Sequence, residues 1–156
     1  MTSSSKMAPE AARLDAILRS SRLVRGGFMG PDRRPVDEVI AADAAVLARL
    51  DRTAAEIAQR MRAIMQLADE GLGTPVNVGD KLEARVTDSR GRISCPWPHA
   101  GHYDKTVVFV RRTDTGESIR WSALNVHLIE AHGFFEGRGS SFRLDPRKLA
   151  EMILEP

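Results

Sequence analysis

An α+β fold, with helices and strands segregated along the chain, is expected from three features of this 156-residue sequence. Apolar residues between Val36 and Ala68 recur in steps of three and four, the period of an amphipathic helix. Beyond Pro75 the pattern changes to short alternating runs separated by turn residues, the signature of strands. Helix-start signals then return at Ser122 and at Asp145-Pro146. The expected architecture is a helical N-terminal half (a helix plus a helical hairpin) packed with a small antiparallel β-sheet and two C-terminal helices.

The elements follow in order. Residues 1–7 are small and polar and are expected to be mobile. The helical region spans 8–73, and the β-hairpins and remaining helices span 74–156, together forming one compact unit. Pro9 to Ser20 places Leu14, Ile17 and Leu18 on one helical face. Gly26, Gly27, Gly30 and Pro31 then impose a loop reaching Pro35. The periodic series Val36, Ile40, Leu47, Leu50, Ala54, Ile57, Met61, Ile64 and Ala68 is interrupted only by Asp43. An unbroken helix to Leu72 would measure about 50 Å. Thr53-Ala-Ala-Glu56 instead matches a capping box, which divides the series into helices 36–50 and 54–71. Gly71, Gly73 and Pro75 stop the second.

Lys81 to Thr87 and Arg92 to Cys95, on either side of Asp88-Ser-Arg-Gly91, are expected to form a β-hairpin. A second hairpin joins Thr106–Arg112 to Glu117–Trp121 through Thr113-Asp-Thr-Gly116. Ser122 is suited to cap a helix that runs to His132 and stops at Gly133. The segment 133–141 is rich in Gly and Ser, and Asp145-Pro146 opens a short helix ending near Leu154.

Composition narrows the functional classes. Apolar content of 42% and charged content of 28% are those of an ordinary globular protein. The formal charge of +2 is evenly spread, with no concentrated basic face of the kind nucleic-acid binders show. Arg13, Arg19, Arg22, Arg25, Arg33 and Arg34 form a local excess that can contact phosphates, though a solvated helix and loop is the favoured account. The single cysteine excludes an internal disulfide, and no signal-peptide core or membrane-length apolar run is present. A cytoplasmic protein is therefore expected.

The chemistry-bearing side chains are clustered. Cys95 and all four histidines, His99, His102, His127 and His132, lie within one stretch. Thiolate and imidazole are the ligands zinc prefers, and they usually come in close pairs from separate local elements. Cys95-Pro-Trp-Pro-His99-Ala-Gly-His102 is a tight loop able to supply two ligands, Cys95 with either His99 or His102. His127 and His132 supply two more from one helix. On an ideal helix these two stand about 140° apart, on either side of the apolar stripe; their x4 spacing is still within the range zinc fingers use, and a distorted last turn before Gly133 is one way to close the gap. The order of ligand loop, hairpin and ligand helix resembles, in layout, zinc knuckle–hairpin–helix modules of the treble-clef kind. Those modules mostly carry cysteine pairs where this chain has one cysteine. The competing explanation is half-buried histidines bonded to backbone carbonyls, Glu130 or Asp104.

Function depends on how the shell closes. Four protein ligands make a zinc site structural, whereas three plus water leave it able to polarise a substrate. Glu130 or Glu136 would supply a base in the second case, and a metal-free Cys95–His nucleophile pair is a further option. The H-E-x-x-H and H-x-E…C-x-x-C signatures are absent. The loop 134–143, with Arg138, Ser140, Ser141 and Arg143, can wrap an anion or meet a partner. Helices 36–71 can form a dimer or partner surface. A helix-turn-helix is disfavoured because Ala54, Ala55 and Glu56 would face the DNA.

The leading expectation is a zinc-stabilised intracellular binding or regulatory domain without catalysis. Behind it stand a metal-dependent enzyme acting on a small polar or phosphorylated substrate, and a nucleic-acid-binding regulator.

Overall fold

The structure, a computed structural model, describes residues 9–87 and 90–154. The expected mobile N-terminus and the Asp88-Ser89 half of the first expected turn lie outside the described residues. The chain order is α1 (Pro9–Arg19), α2 (Val36–Arg49), α3 (Ala54–Asp69), β1 (Val76–Val78), β2 (Leu82–Thr87), β3 (Arg92–Ser94), β4 (His102–Asp104), β5 (Val107–Arg112), β6 (Ser118–Ser122), α4 (Ala123–His132) and α5 (Pro146–Leu154). This is the α+β arrangement expected, with helices before and after a small antiparallel sheet. No described helix is long and apolar enough to cross a membrane.

The break between α2 and α3 has the anticipated cause. The Thr53 hydroxyl accepts the Glu56 N–H at 3.1 Å, and the Glu56 carboxylate accepts the Thr53 N–H at 2.9 Å. Just before it, Asp51 turns the chain in the left-handed region at φ +57°. Ser122 repeats the device on α4 with Asn125, and Gly133, at φ +62°, closes that helix. At α5 the Asp145 carboxylate accepts the N–H groups of Arg147 and Lys148, which leaves Pro146 to open the helix.

Strand pairing departs from expectation at one place. The β5–β6 hairpin is present, with Val108 opposite Trp121 and Val110 opposite Ile119. The expected hairpin of 81–87 with 92–95 is not. Strand β2 pairs instead with β1 and β5, giving an antiparallel order β1-β2-β5-β6, while β3 pairs with β4 in a separate two-stranded ribbon. Burial explains the choice. The inner residues of β2, Leu82, Ala84 and Val86, match Val108 and Val110 of β5. Arg92-Ile93-Ser94 offers one apolar residue and cannot compete for that face.

Two hydrophobic clusters make up the core. The larger joins the inner sheet face to Ile57, Ala58, Met61, Ile64 and Ala68 of α3. The apolar ladder of α3 is therefore spent inside its own molecule. The smaller contains Leu18, Phe28, Met29, Val36, Val39, Cys95, Leu124, Leu128 and Phe134. Helix α4 separates the two, giving Val126 and Ile129 to the first and Leu124 and Leu128 to the second. A helix apolar on both sides belongs in the interior, and it carries His127 at its middle and His132 at its end.

Candidate metal centre

The loop between β3 and β4 starts at Cys95, which is buried in the smaller cluster, and rises through Pro96-Trp97-Pro98 to the exposed His99. It is a closed turn, with the Cys95 N–H donated to the Gly101 carbonyl and the His99 N–H to the Trp97 carbonyl. Its apex lies over the end of α4. There the ligand atoms of Cys95, His99, His127 and His132 fall within 4.8 Å of one another.

Three of the six separations match the edges of a tetrahedral shell, and all six lie within 4.8 Å. With Zn–N of about 2.0–2.1 Å and Zn–S of about 2.3 Å, tetrahedral edges are about 3.3 Å between nitrogens and about 3.6 Å between nitrogen and sulfur. The His99 Nε2 lies 3.1 Å from His127 Nε2 and 3.3 Å from His132 Nε2. The Cys95 Sγ lies 3.6 Å from His132 Nε2. Such spacing groups three imidazole nitrogens and a sulfur closely enough to share one ion.

The outer ring nitrogens set which atoms face inward. His99 Nδ1 lies 2.9 Å from the Ala100 carbonyl, which can only accept, so the proton sits on Nδ1 and Nε2 presents a lone pair. His127 Nδ1 lies 2.9 Å from the Tyr103 hydroxyl. That contact serves either tautomer: with Nδ1–H donated to the hydroxyl, Nε2 presents an inward lone pair, and with the hydroxyl donating, Nε2–H is directed at His99. Trp97 stacks on His132 at a centroid distance of 4.1 Å, and Tyr103 stacks on His127 at 4.4 Å. In the first tautomer of His127 the two lone pairs, on nitrogens 3.1 Å apart, are brought together by a cation; in the second the nitrogens are joined by an N–H···N hydrogen bond.

The electrostatics suit neutral ligands. Burial, and then the His127 and His99 charges, lower the His132 pKa to about 4. Burial and His99 also lower that of His127, against a smaller opposing pull from Glu130. Burial raises the Cys95 thiol, so it is not an activated thiolate by itself. Metal coordination deprotonates such a thiol, whereas a metal-free Cys–His nucleophile pair requires the opposite shift.

Each sequence-based candidate now has a place. Cys95, His99, His127 and His132 come together; His102 does not, being exposed with its Nδ1 3.2 Å from the Ser94 hydroxyl. The α4 helix stays regular to His132, so the rings converge without a distorted last turn. Glu130 accepts from Arg62 at 2.6 Å, and Glu136 accepts from Asn125 and Ser140. The segment 138–143 is tied to its own fold. Arg143 forms a two-pronged bridge to Asp43, Ser140 donates to Glu136, the Arg138 N–H is donated to Asp32, and the Ser141 carbonyl accepts from Arg120. Within the arginine-rich arm, Arg19 bridges to Asp15, and Arg34 to Asp32.

Two residues escaped the sequence reading. Tyr103 and Trp97 hold the histidine rings, and the available signal was that the chain's single Tyr and one of its two Trp adjoin the ligand loop. No protein-family model, curated protein or solved structure matches this chain.

Proposed function

We propose that Cys95, His99, His127 and His132 hold one zinc ion, and that the protein is a metal-stabilised binding or regulatory domain of the reducing cytoplasm. The observation that carries this reading is the convergence of four ligand atoms from two elements within 4.8 Å. Four protein donors complete a tetrahedral shell and leave no position for substrate, which favours a structural role over catalysis. Both candidate bases, Glu130 and Glu136, have hydrogen-bond partners elsewhere.

The physical need for a staple is local. A ribbon of two three-residue strands cannot support itself in water, yet β3–β4 carries the ligand loop. Coordination by two loop residues and two helix residues fastens the ribbon to α4, beside the smaller hydrophobic cluster. Metal binding then becomes part of the folding free energy.

The test is metal content by plasma mass spectrometry on untagged protein, with thermal melting, for wild type, Cys95→Ser and His127→Ala. About one zinc per chain is expected, lost in both variants along with a marked fall in melting temperature. His102→Ala should retain the metal. Metal-free wild-type protein with an unchanged melt on zinc addition would overturn the proposal.

A further inference from the structure

The outer face of the four-stranded sheet is a second surface with its own chemistry. Strand register lays Arg85, Phe109 and Arg120 in one row across β2, β5 and β6. The next row places Glu83, Arg111 and Ser118 side by side. The Arg85 guanidinium sits over the Phe109 ring, 4.6 Å from its centroid, and that of Arg120 over Phe142 at 4.3 Å. Arg85, Arg111, Arg120 and Ser118 are exposed, and both phenylalanines are only half-buried.

One cleft opens on this face and a second at its β6 edge, between the sheet and residues 141–149. One, of about 190 Å³, is bounded by Glu83, Arg85, Phe109 and Arg111; the other, of about 370 Å³, by Arg120, Ser141, Phe142 and Lys148. Ser118 lines both, so the two are neighbours across the outer end of β6. Their cations, Arg85, Arg111, Arg120, Arg143 and Lys148, outnumber their carboxylates, Glu83 and Asp145; Glu83 lies 3.7 Å from Arg111 and Arg143 is bridged to Asp43, which leaves Arg85, Arg120 and Lys148 as the cations outside these two bridges.

We infer that this sheet face binds single-stranded RNA. Flat guanidinium and aromatic planes, repeated along a sheet, are what splayed bases stack on, and cations between them meet the phosphates. A duplex hides its base faces and could use only the charges. An acidic peptide would likewise pair with the arginines and leave the planes idle. Ser118 and Ser141 place hydroxyls beside the stacking groups, where a ribose 2′-OH can donate to or accept from them. The site is independent of the proposed metal centre, and its residues come from different elements from the zinc ligands.

Fluorescence anisotropy on the full chain tests it, with a labelled RNA single strand of about ten nucleotides, the same sequence as DNA, and an RNA duplex. The RNA strand should bind best. Its affinity should fall with salt at a log–log slope near −2, about 0.7 for each of three phosphates. Phe109→Ala should weaken binding roughly 5- to 150-fold, the range for loss of one stacking contact. Phe109 is partly packed, so the paired reversal Arg85→Glu with Arg120→Glu provides a check confined to exposed side chains. It should abolish binding and leave the melting temperature within a few degrees, whereas Arg49→Glu on α2 should change neither. Several results would overturn the inference: no low-salt binding, equal binding of DNA or duplex, or full binding by the doubly reversed protein. Dissociation of a homodimer by that reversal would assign the face to a second copy of the chain and equally overturn it.

Discussion

In the proposed metal site Tyr103 leaves Nε2 as the nitrogen of His127 free to face inward, because its hydroxyl occupies Nδ1 at 2.9 Å while the ring stacks alongside. Outer partners of metal-bound histidines typically contribute 10- to 100-fold in affinity. Tyr103→Phe keeps the stack and loses the hydrogen bond. It should therefore weaken zinc binding by roughly that factor without unfolding the protein, as read by competition with a chromophoric chelator. Glu136 is the other residue whose environment sets its chemistry. It is buried, with a backbone in the left-handed region at φ +70°, and burial raises its pKa from 4.5 to about 7 against the lowering contacts of Ser140, Asn125 and Arg143. The folded state therefore holds this proton more tightly than the unfolded state does. Between pH 4.5 and about 7, this group makes stability fall as pH rises, by up to about 3 kcal/mol across the window. Zinc release on acidification acts in the opposite sense, so the comparison is between proteins. Glu136→Gln minus wild type, in chemical denaturation at stepped pH, should show the Glu136 slope removed. Parallel profiles would refute the assignment.

At the scale of elements, the capping box is the feature that turns one long amphipathic pattern into two helices. Thr53→Ala leaves the Glu56 N–H without its cap and should cost about 1 kcal/mol, measurable by urea unfolding. A loss below a few tenths would mean that Asp51 and the packing of α3 fix the turn unaided. The β3–β4 ribbon makes a different prediction. Since its strands pair only with each other among the described residues, amide exchange in 92–104 should be slow with zinc bound and accelerate strongly on chelation. The exchange of β2 and β5 should change little, because their core lies in the larger cluster. Uniform loss of protection would show that the metal supports the whole fold. These elements differ in how readable they were. Thr53, Ser122, Gly133 and Asp145 act through neighbours within a few residues, so their roles were legible locally. Strand β1 and the β2–β5 pairing were not. Val76-Asn77-Val78 is too short for a period to show, and partner choice is a competition among distant segments for the same buried face.

Across the whole molecule, the Arg143–Asp43 bridge ties residues 100 positions apart at 2.6 Å and 3.0 Å, with little of either side chain exposed. It explains why a carboxylate interrupts the apolar series of α2. Arg143→Met should destabilise by about 3–5 kcal/mol, since it strands a buried charge. Adding Asp43→Ala should recover much of that loss, and a double-mutant cycle by denaturant unfolding checks both values. Strictly additive losses would show that the bridge carries no coupling. Sequence alone determined the α+β class, the helix limits and the clustering of Cys95 with the histidines, because propensity, capping and periodicity act over a few residues. Tertiary structure alone decided that His99 and not His102 joins the cluster, that His127 and His132 converge, and that Arg85, Phe109 and Arg120 share one row. Strand register and the crossing of a loop over a helix end set those distances, and both arise from long-range packing that no local pattern encodes.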